Sequence, residues 1–194
     1  MSKRLVPAEP RSNADIEALT LELVQKYQGG LLERGEQFDI VRFFECEMEA
    51  ICGVRPDYQK LGAEIQGYTD SERMVSVISC DLAEDRWQEK YYRSTVAHET
   101  GHAILHVRDY RHKKALLKSI HRKDHALTMY RETDIVLYKN PEWQAWRFAG
   151  ALLMPAPAFT AAIREGLGVR DLADRFGVNP AFVRSRLRAL GLPE

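Results

Sequence analysis

Apolar residues recur at helical spacing through most of the chain. From Asn13 to Gln28 the positions Ile16, Leu19, Leu23 and Val24 predict an amphipathic helix that Gly29-Gly30 stops. A second helix is expected from about Asp39 to Ile51, with Ile40, Phe43, Phe44 and Met48 facing inward and Gly53 at its end. The texture then changes. Residues 62–68 and 74–79 are short β-rich runs, and Thr69-Asp70-Ser71-Glu72-Arg73 between them reads as a hairpin loop. Helical patterning returns from about Arg93 to Val107. Residues 108–131 are polar, basic and weakly periodic, so a loop or a partly helical insertion is expected there. Asn140-Pro141 supplies an N-cap followed by proline at the first helical position, opening a helix to about Leu153. Met154-Pro155-Ala156-Pro157 breaks that helix, and a short one follows to Arg164. Residues 1–12 read as a loose tail. The fold class is therefore α+β, mostly helical with a small β-sheet.

Residues 169–192 have the look of a helix-turn-helix. Ala173, Gly177 and Val183 give the small–turn–apolar spacing, and Asn179-Pro180 starts the second helix. Arg184 and Arg188 share one face of that helix, while Arg186 lies elsewhere; in a DNA reader such arginines meet phosphates or bases. The competing expectation is a small helical cap packed on the rest of the protein. The division expected on this basis is a domain over residues 13–155 and a helix-turn-helix-like unit over 156–194.

Composition narrows the class. The 194 residues are 45% hydrophobic and 29% charged, which excludes a mostly disordered chain. The 28 basic side chains equal the 28 acidic ones, which argues against nucleic-acid binding by bulk charge. Neutrality hides an asymmetry, however. Residues 1–107 carry 12 basic and 19 acidic side chains (−7), whereas residues 108–194 carry 16 and 9 (+7). Within the latter, residues 108–131 hold 8 Lys and Arg against 2 Asp, a candidate flap or docking site for an acidic surface. Cys46, Cys52 and Cys80 include no C-x-x-C pair, so reduced, packed thiols are expected. The opening MSKRLVPAEPRSN lacks the apolar stretch of a secretory signal, and no run is long enough to span a membrane, so a cytoplasmic protein is expected.

The chemistry concentrates in Ala97-His98-Glu99-Thr100-Gly101-His102-Ala103-Ile104-Leu105-His106, an H-E-x-x-H pattern on a helix. Residues four apart stand one turn above each other, so two imidazoles can close on one zinc ion. Glu99 beside them can take a proton from a water at the metal. With 6 His and 17 Glu in the chain, chance gives the bare pattern about 0.02 times, which favours function over accident. Gly101 in a helix interior costs about 1 kcal/mol against alanine, which points to close packing.

A catalytic zinc needs a third protein ligand. His106 is eight residues from His98, about 12 Å along the axis, and cannot share the ion. Arg108 stands where the extended metzincin pattern needs histidine. Asp109, Glu132 and Asp134 lie in weakly patterned segments. Glu142 is better placed, in the first turn of the Asn140-capped helix, whose dipole favours a carboxylate. That helix also carries Ala145, Ala149 and Gly150, small enough to approach Gly101 closely. His121, His125, Tyr130 and Tyr138 are candidates for stabilising an oxyanion, and a strand such as 74–79 is a candidate for holding an extended peptide.

These motifs resemble the ImmA/IrrE-type metallo-endopeptidases. The matching stretches are AHETGHAILH (97–106) and EWQAWRFAGALLMP (142–155), the second corresponding to the family's E-x-x-A-N-x-F-A…L-L-M-P helix. The resemblance implies a zincin-like domain with His98, His102 and Glu142 as zinc ligands and Glu99 as catalytic base. A different divalent ion such as manganese also suits two histidines and a glutamate. Trp146 replaces the family's usual asparagine, which affects whatever supporting role that asparagine has but removes no ligand. The resemblance covers about Arg93–Pro155 well and the first hundred residues only in layout. It implies a protein substrate, a DNA-binding helix-turn-helix repressor whose cleavage releases genes. The competing function is a regulatory binding protein that uses the metal fold as a scaffold and residues 169–192 to contact DNA or a repressor.

Overall fold

A computed structural model describes residues 4–62, 64–119 and 127–194. The N-terminal segment is pinned rather than loose. Strand β1 (Arg4–Leu5) pairs antiparallel with β5 (Tyr130–Arg131), and the backbone of Ala8 and Arg11 donates to the carbonyls of Lys139 and Tyr138. Helix α1 (Asn13–Gln28) opens with a capping box in which Ser12 and Asp15 satisfy each other's backbone N–H groups. Short α2 (Leu31–Arg34) follows. The next helical stretch is α3 (Ile40–Arg42), a π-helical turn (Phe43–Glu47) and α4 (Met48–Cys52). It ends at Gly53, whose φ of 74° no residue with a Cβ adopts cheaply.

Three strands form the small sheet, β2 (Arg55–Gln59), β3 (Gly67–Asp70) and β4 (Val75–Ser79), in the order β2-β4-β3. β4 is central and wholly buried, parallel to β2 and antiparallel to β3. The expected run 62–68 forms a strand only from Gly67 onward, and the turn sits at 71–74. β2 (RPDYQ) has no apolar alternation to announce it; pairing with the VSVIS strand makes it a strand. The strand expected to hold a peptide, 74–79, has neighbours on both sides, and β2 and β3 are the edges.

After α5 (Cys80–Glu84), helix α6 (Glu89–His102) runs through a π-helical turn (Ala103–Val107) into α7 (Arg108–Ser119). Residues 108–119 are thus helical. No residue of α7 is buried, so it lacks an apolar stripe and its periodicity is faint in the sequence. Helix α8 (Pro141–Leu153) is capped as expected: Asn140 Oδ1 accepts from the N–H groups of Glu142 (2.9 Å) and Trp143 (3.2 Å). α6 and α8 pack at very close range. A Cβ on Gly101 would stand 3.2 Å from the Cα and carbonyl oxygen of Ala145 and 3.1 Å from the Phe148 ring.

Helices α9 (Ala156–Arg164), α10 (Val169–Phe176) and α11 (Pro180–Leu190) complete the chain. Gly177 makes the tight turn between α10 and α11 at φ 62°. One apolar core runs from Ile16 and Phe44 through Val96, Phe148 and Leu152 to Phe159, Phe176 and Val183. Arg186 of α11 is 2% exposed and ties the tail to the body: its guanidinium pairs with Glu17 of α1, and its Nε donates to the Met154 carbonyl at 2.9 Å. Arg184 and Arg188 reach Glu194 instead. Cys46 is exposed, while Cys52 and Cys80 are half-buried, all as free thiols.

Candidate metal centre

Helix α6 places His98 and His102 one turn apart, with their Nε2 atoms 3.1 Å from each other. The capped first turn of α8 brings Glu142 to the same point. Its Oε2 lies 3.4 Å from His98 Nε2, and its Oε1 lies 3.7 Å from His102 Nε2. The close approach at Gly101 makes this meeting sterically possible. Among the described residues, His98, His102 and Glu142 form a group whose ligand atoms all fall within 4.8 Å of one another. Two donors on one zinc at tetrahedral angles stand about 3.3 Å apart, so the three separations fit such an ion. Two imidazole nitrogens and one carboxylate are also the donor set that zinc accepts in catalytic sites. His98 is buried, whereas His102 and Glu142 are partly exposed, so the cup opens on one side and leaves room for a water or a substrate atom.

Glu99 sits beside this cup and is 6% exposed. Its carboxylate Oε2 accepts from the Thr69 hydroxyl at 2.7 Å, and Ser76 Oγ stands 3.0 Å from the same Thr69 oxygen. Thr69 has a single proton, and the charged acceptor holds it most strongly, so Ser76 donates to Thr69. Gly67, two residues earlier on β3, leaves the space that Glu99 fills, since a Cβ there would lie 3.0 Å from Glu99 Cγ. Strand β3 therefore both orients the carboxylate and borders it.

Other aromatic and imidazole groups enclose the cluster. Trp146, at the position where the family pattern has asparagine, lies over His98 with ring centroids 4.2 Å apart, and its far side meets Phe182 of α11 edge-on at 5.7 Å. His106 is excluded from the cup, as its distance along the helix requires. It is 1% exposed and stacked against Tyr110, and burial pushes its pKa down to about 4, so it is neutral.

The other sequence candidates lie elsewhere. Asp109 pairs with Arg11 at 3.0 Å, Glu132 Oε1 stands 3.5 Å from Asn140 Nδ2, and Asp134 accepts from Thr133. Tyr130 on β5 and Tyr138 in the turn before α8 are exposed. His121 and His125 lie outside the described residues. Thr69, Gly67 and Gln144 belong to the surroundings of the site and carried no sequence signal, because their roles come from residues distant in the chain.

A buried H-E-x-x-H helix crossed by a second helix that delivers a glutamate defines the architecture of a metallopeptidase-type domain. Residues 84–188, just over half of the chain, match the IrrE N-terminal-like domain family, Peptidase_M78. The chain belongs to that family. Its fold is similar to that of a Mycobacterium tuberculosis transcriptional regulator (TM-score 0.56, 20% identity), over 93% of this chain and 48% of that one. The chain thus spans about half the length of that protein. No curated protein matches it.

Proposed function

We propose that the protein is a zinc-dependent endopeptidase with His98, His102 and Glu142 as metal ligands and Glu99 as proton carrier. The observation that supports this most is the convergence of the three ligand atoms within 4.8 Å beside a buried glutamate held by Thr69. His98, His102 and Glu142 would hold a divalent ion here, and such an ion would supply Lewis-acid chemistry, polarising a peptide carbonyl and making a water more acidic. Glu99 would take a proton from the attacking water and pass it to the departing amine, and its hydrogen bond to Thr69 orients the carboxylate for this. Among the described residues no strand pairs with the outer edge of β3, along which an extended peptide would add as a strand. Beyond the end of β3 lies a cleft of about 630 Å³ where Lys114 pairs with Glu72, and Arg111 and Lys118 leave a net positive lining suited to acidic substrate side chains.

The substrate we infer is a DNA-binding repressor of the helix-turn-helix type, cleaved to release the genes it controls. Family membership and the regulator-like fold support a regulatory role, and the metal chemistry supports proteolysis as its means. On this reading residues 13–155 carry the catalysis and residues 156–194 form a helix-turn-helix-like unit that docks the target. No described helix is long and apolar enough to cross a membrane, which suits a cytoplasmic protein. The test is to mix the protein with candidate repressors, with and without chelator, and to repeat the assay with Glu99→Gln. Fragments are expected only from the metal-loaded native protein. Zinc below about a tenth of an equivalent after careful purification overturns the metal reading. Full biological activity in Glu99→Gln overturns proteolysis and leaves the binding function.

A further inference from the structure

Behind the candidate ligand His102 runs a chain of two hydrogen-bonding side chains that the proposed reaction does not use. His102 Nδ1 is 3.0 Å from His106 Nδ1, and His106 Nε2 is 2.9 Å from Gln144 Oε1. The direction of this chain follows from its far end. Gln144 Nε2 donates to two backbone carbonyls, those of Glu9 and Tyr138, both at 2.8 Å. Both amide protons are committed, and the reversed amide would set an oxygen against two oxygens. The atom facing His106 is therefore the carbonyl, which can only accept. His106 Nε2 must carry a proton, and a ring 1% exposed, set between an imidazole and an amide, keeps only that one and leaves Nδ1 bare. Across the 3.0 Å gap, His102 must supply the proton from its own Nδ1, which puts its lone pair on Nε2.

We propose that His106, oriented by Gln144, is the positioning residue that locks His102 into the tautomer able to bind the metal through Nε2. The inference rests on the metal reading given above, because Nε2 is the atom that faces His98 and Glu142. The anchoring carbonyls belong to the N-terminal segment and to the turn before α8. The Ala8 and Arg11 backbone groups that donate to Lys139 and Tyr138 hold these two pieces together. The π-helical turn after His102 carries His106, and such turns recur at functional sites. An orientation set this way also holds the imidazole plane, which otherwise rotates about its side-chain bonds.

The tautomers are read directly from proton–nitrogen correlation spectra of the imidazole rings in metal-free protein. His106 protonated at Nε2 and His102 protonated at Nδ1 are expected. His106 protonated at Nδ1 overturns the proposal, whether or not zinc binds. A second measurement uses zinc competition with a chromogenic chelator. His106→Phe keeps the ring shape but removes the acceptor, and is expected to weaken zinc binding about 10–100-fold. His106→Gln, whose amide presents an acceptor and a donor in the same order, is expected to recover most of that loss. A folded His106→Phe protein that binds zinc as tightly as the native chain overturns the proposal, since a purely structural residue lowers the melting temperature without changing zinc affinity. If His106→Phe does not fold, the native tautomers decide. Native protein with the expected tautomers but no zinc binding overturns the metal reading instead of the hydrogen-bond chain.

Discussion

The hydroxyl of Thr69 stands 2.7 Å from the Oε2 of Glu99, a contact between the edge strand and the H-E-x-x-H helix that spans thirty residues of sequence. A hydrogen bond to a charged group contributes about 1.5–3 kcal/mol. Thr69→Val keeps the shape and removes the donor to Glu99 Oε2. The expected outcome is a fall in kcat of roughly tenfold or more with zinc content unchanged, and substantial recovery in Thr69→Ser. Parallel zinc analysis and cleavage rates check it; equal rates for Thr69→Val refute the orienting role.

Gly101→Ala should lower stability despite the better helix propensity of alanine. The gain is about 1 kcal/mol. The added methyl, however, meets the Ala145 backbone at 3.2 Å, and a helix backbone cannot step aside as a side chain can. Overpacking of this kind costs about 1–3 kcal/mol, enough to offset the gain, and it pushes Glu142 away from His98 and His102. A melting temperature lowered by up to about 8 °C and weaker zinc binding are expected by calorimetry and chelator competition.

Arg186 makes the C-terminal helices part of the body. Arg186→Met strands the Glu17 carboxylate and the Met154 carbonyl together, so a loss of about 3 kcal/mol is expected in denaturant unfolding. Adding Glu17→Met removes the stranded charge and should restore part of that loss. Additive losses in the double variant would show that the pair is not coupled.

Metal removal should act on stability through the same three ligands. A ligand present at about 1,000 times its Kd stabilises by about 4 kcal/mol, or roughly 8–16 °C for a chain of this size. Chelator should therefore lower the melting temperature of the native protein and leave His102→Ala unmoved. An equal chelator effect in both refutes His102 as a ligand.

Much of the helical frame is written locally. Helix Asn13–Gln28, the Asn140 cap and the break after Leu153 rest on spacing, capping and proline chemistry that act within a few residues. What local patterns miss is equally specific. Strand β2 is polar and contains proline, α7 has an inner face that is mostly polar and only partly buried, and the N-terminal segment holds its place through hydrogen bonds to residues 130–139. None of these carries a buried stripe from which its conformation can be read.

The candidate site divides along the same line. By itself the sequence determines that His98 and His102 share a helix face with Glu99 beside them, because a helix repeats every 3.6 residues and the spacing is covalent. Only the tertiary structure decides that Glu142 reaches both imidazoles, that Thr69 holds Glu99, and that Gln144 and His106 direct the protons of His102. Those meetings depend on how closely α6, α8 and β3 can pack, and that is set at Gly101 and Gly67 by atoms from distant parts of the chain.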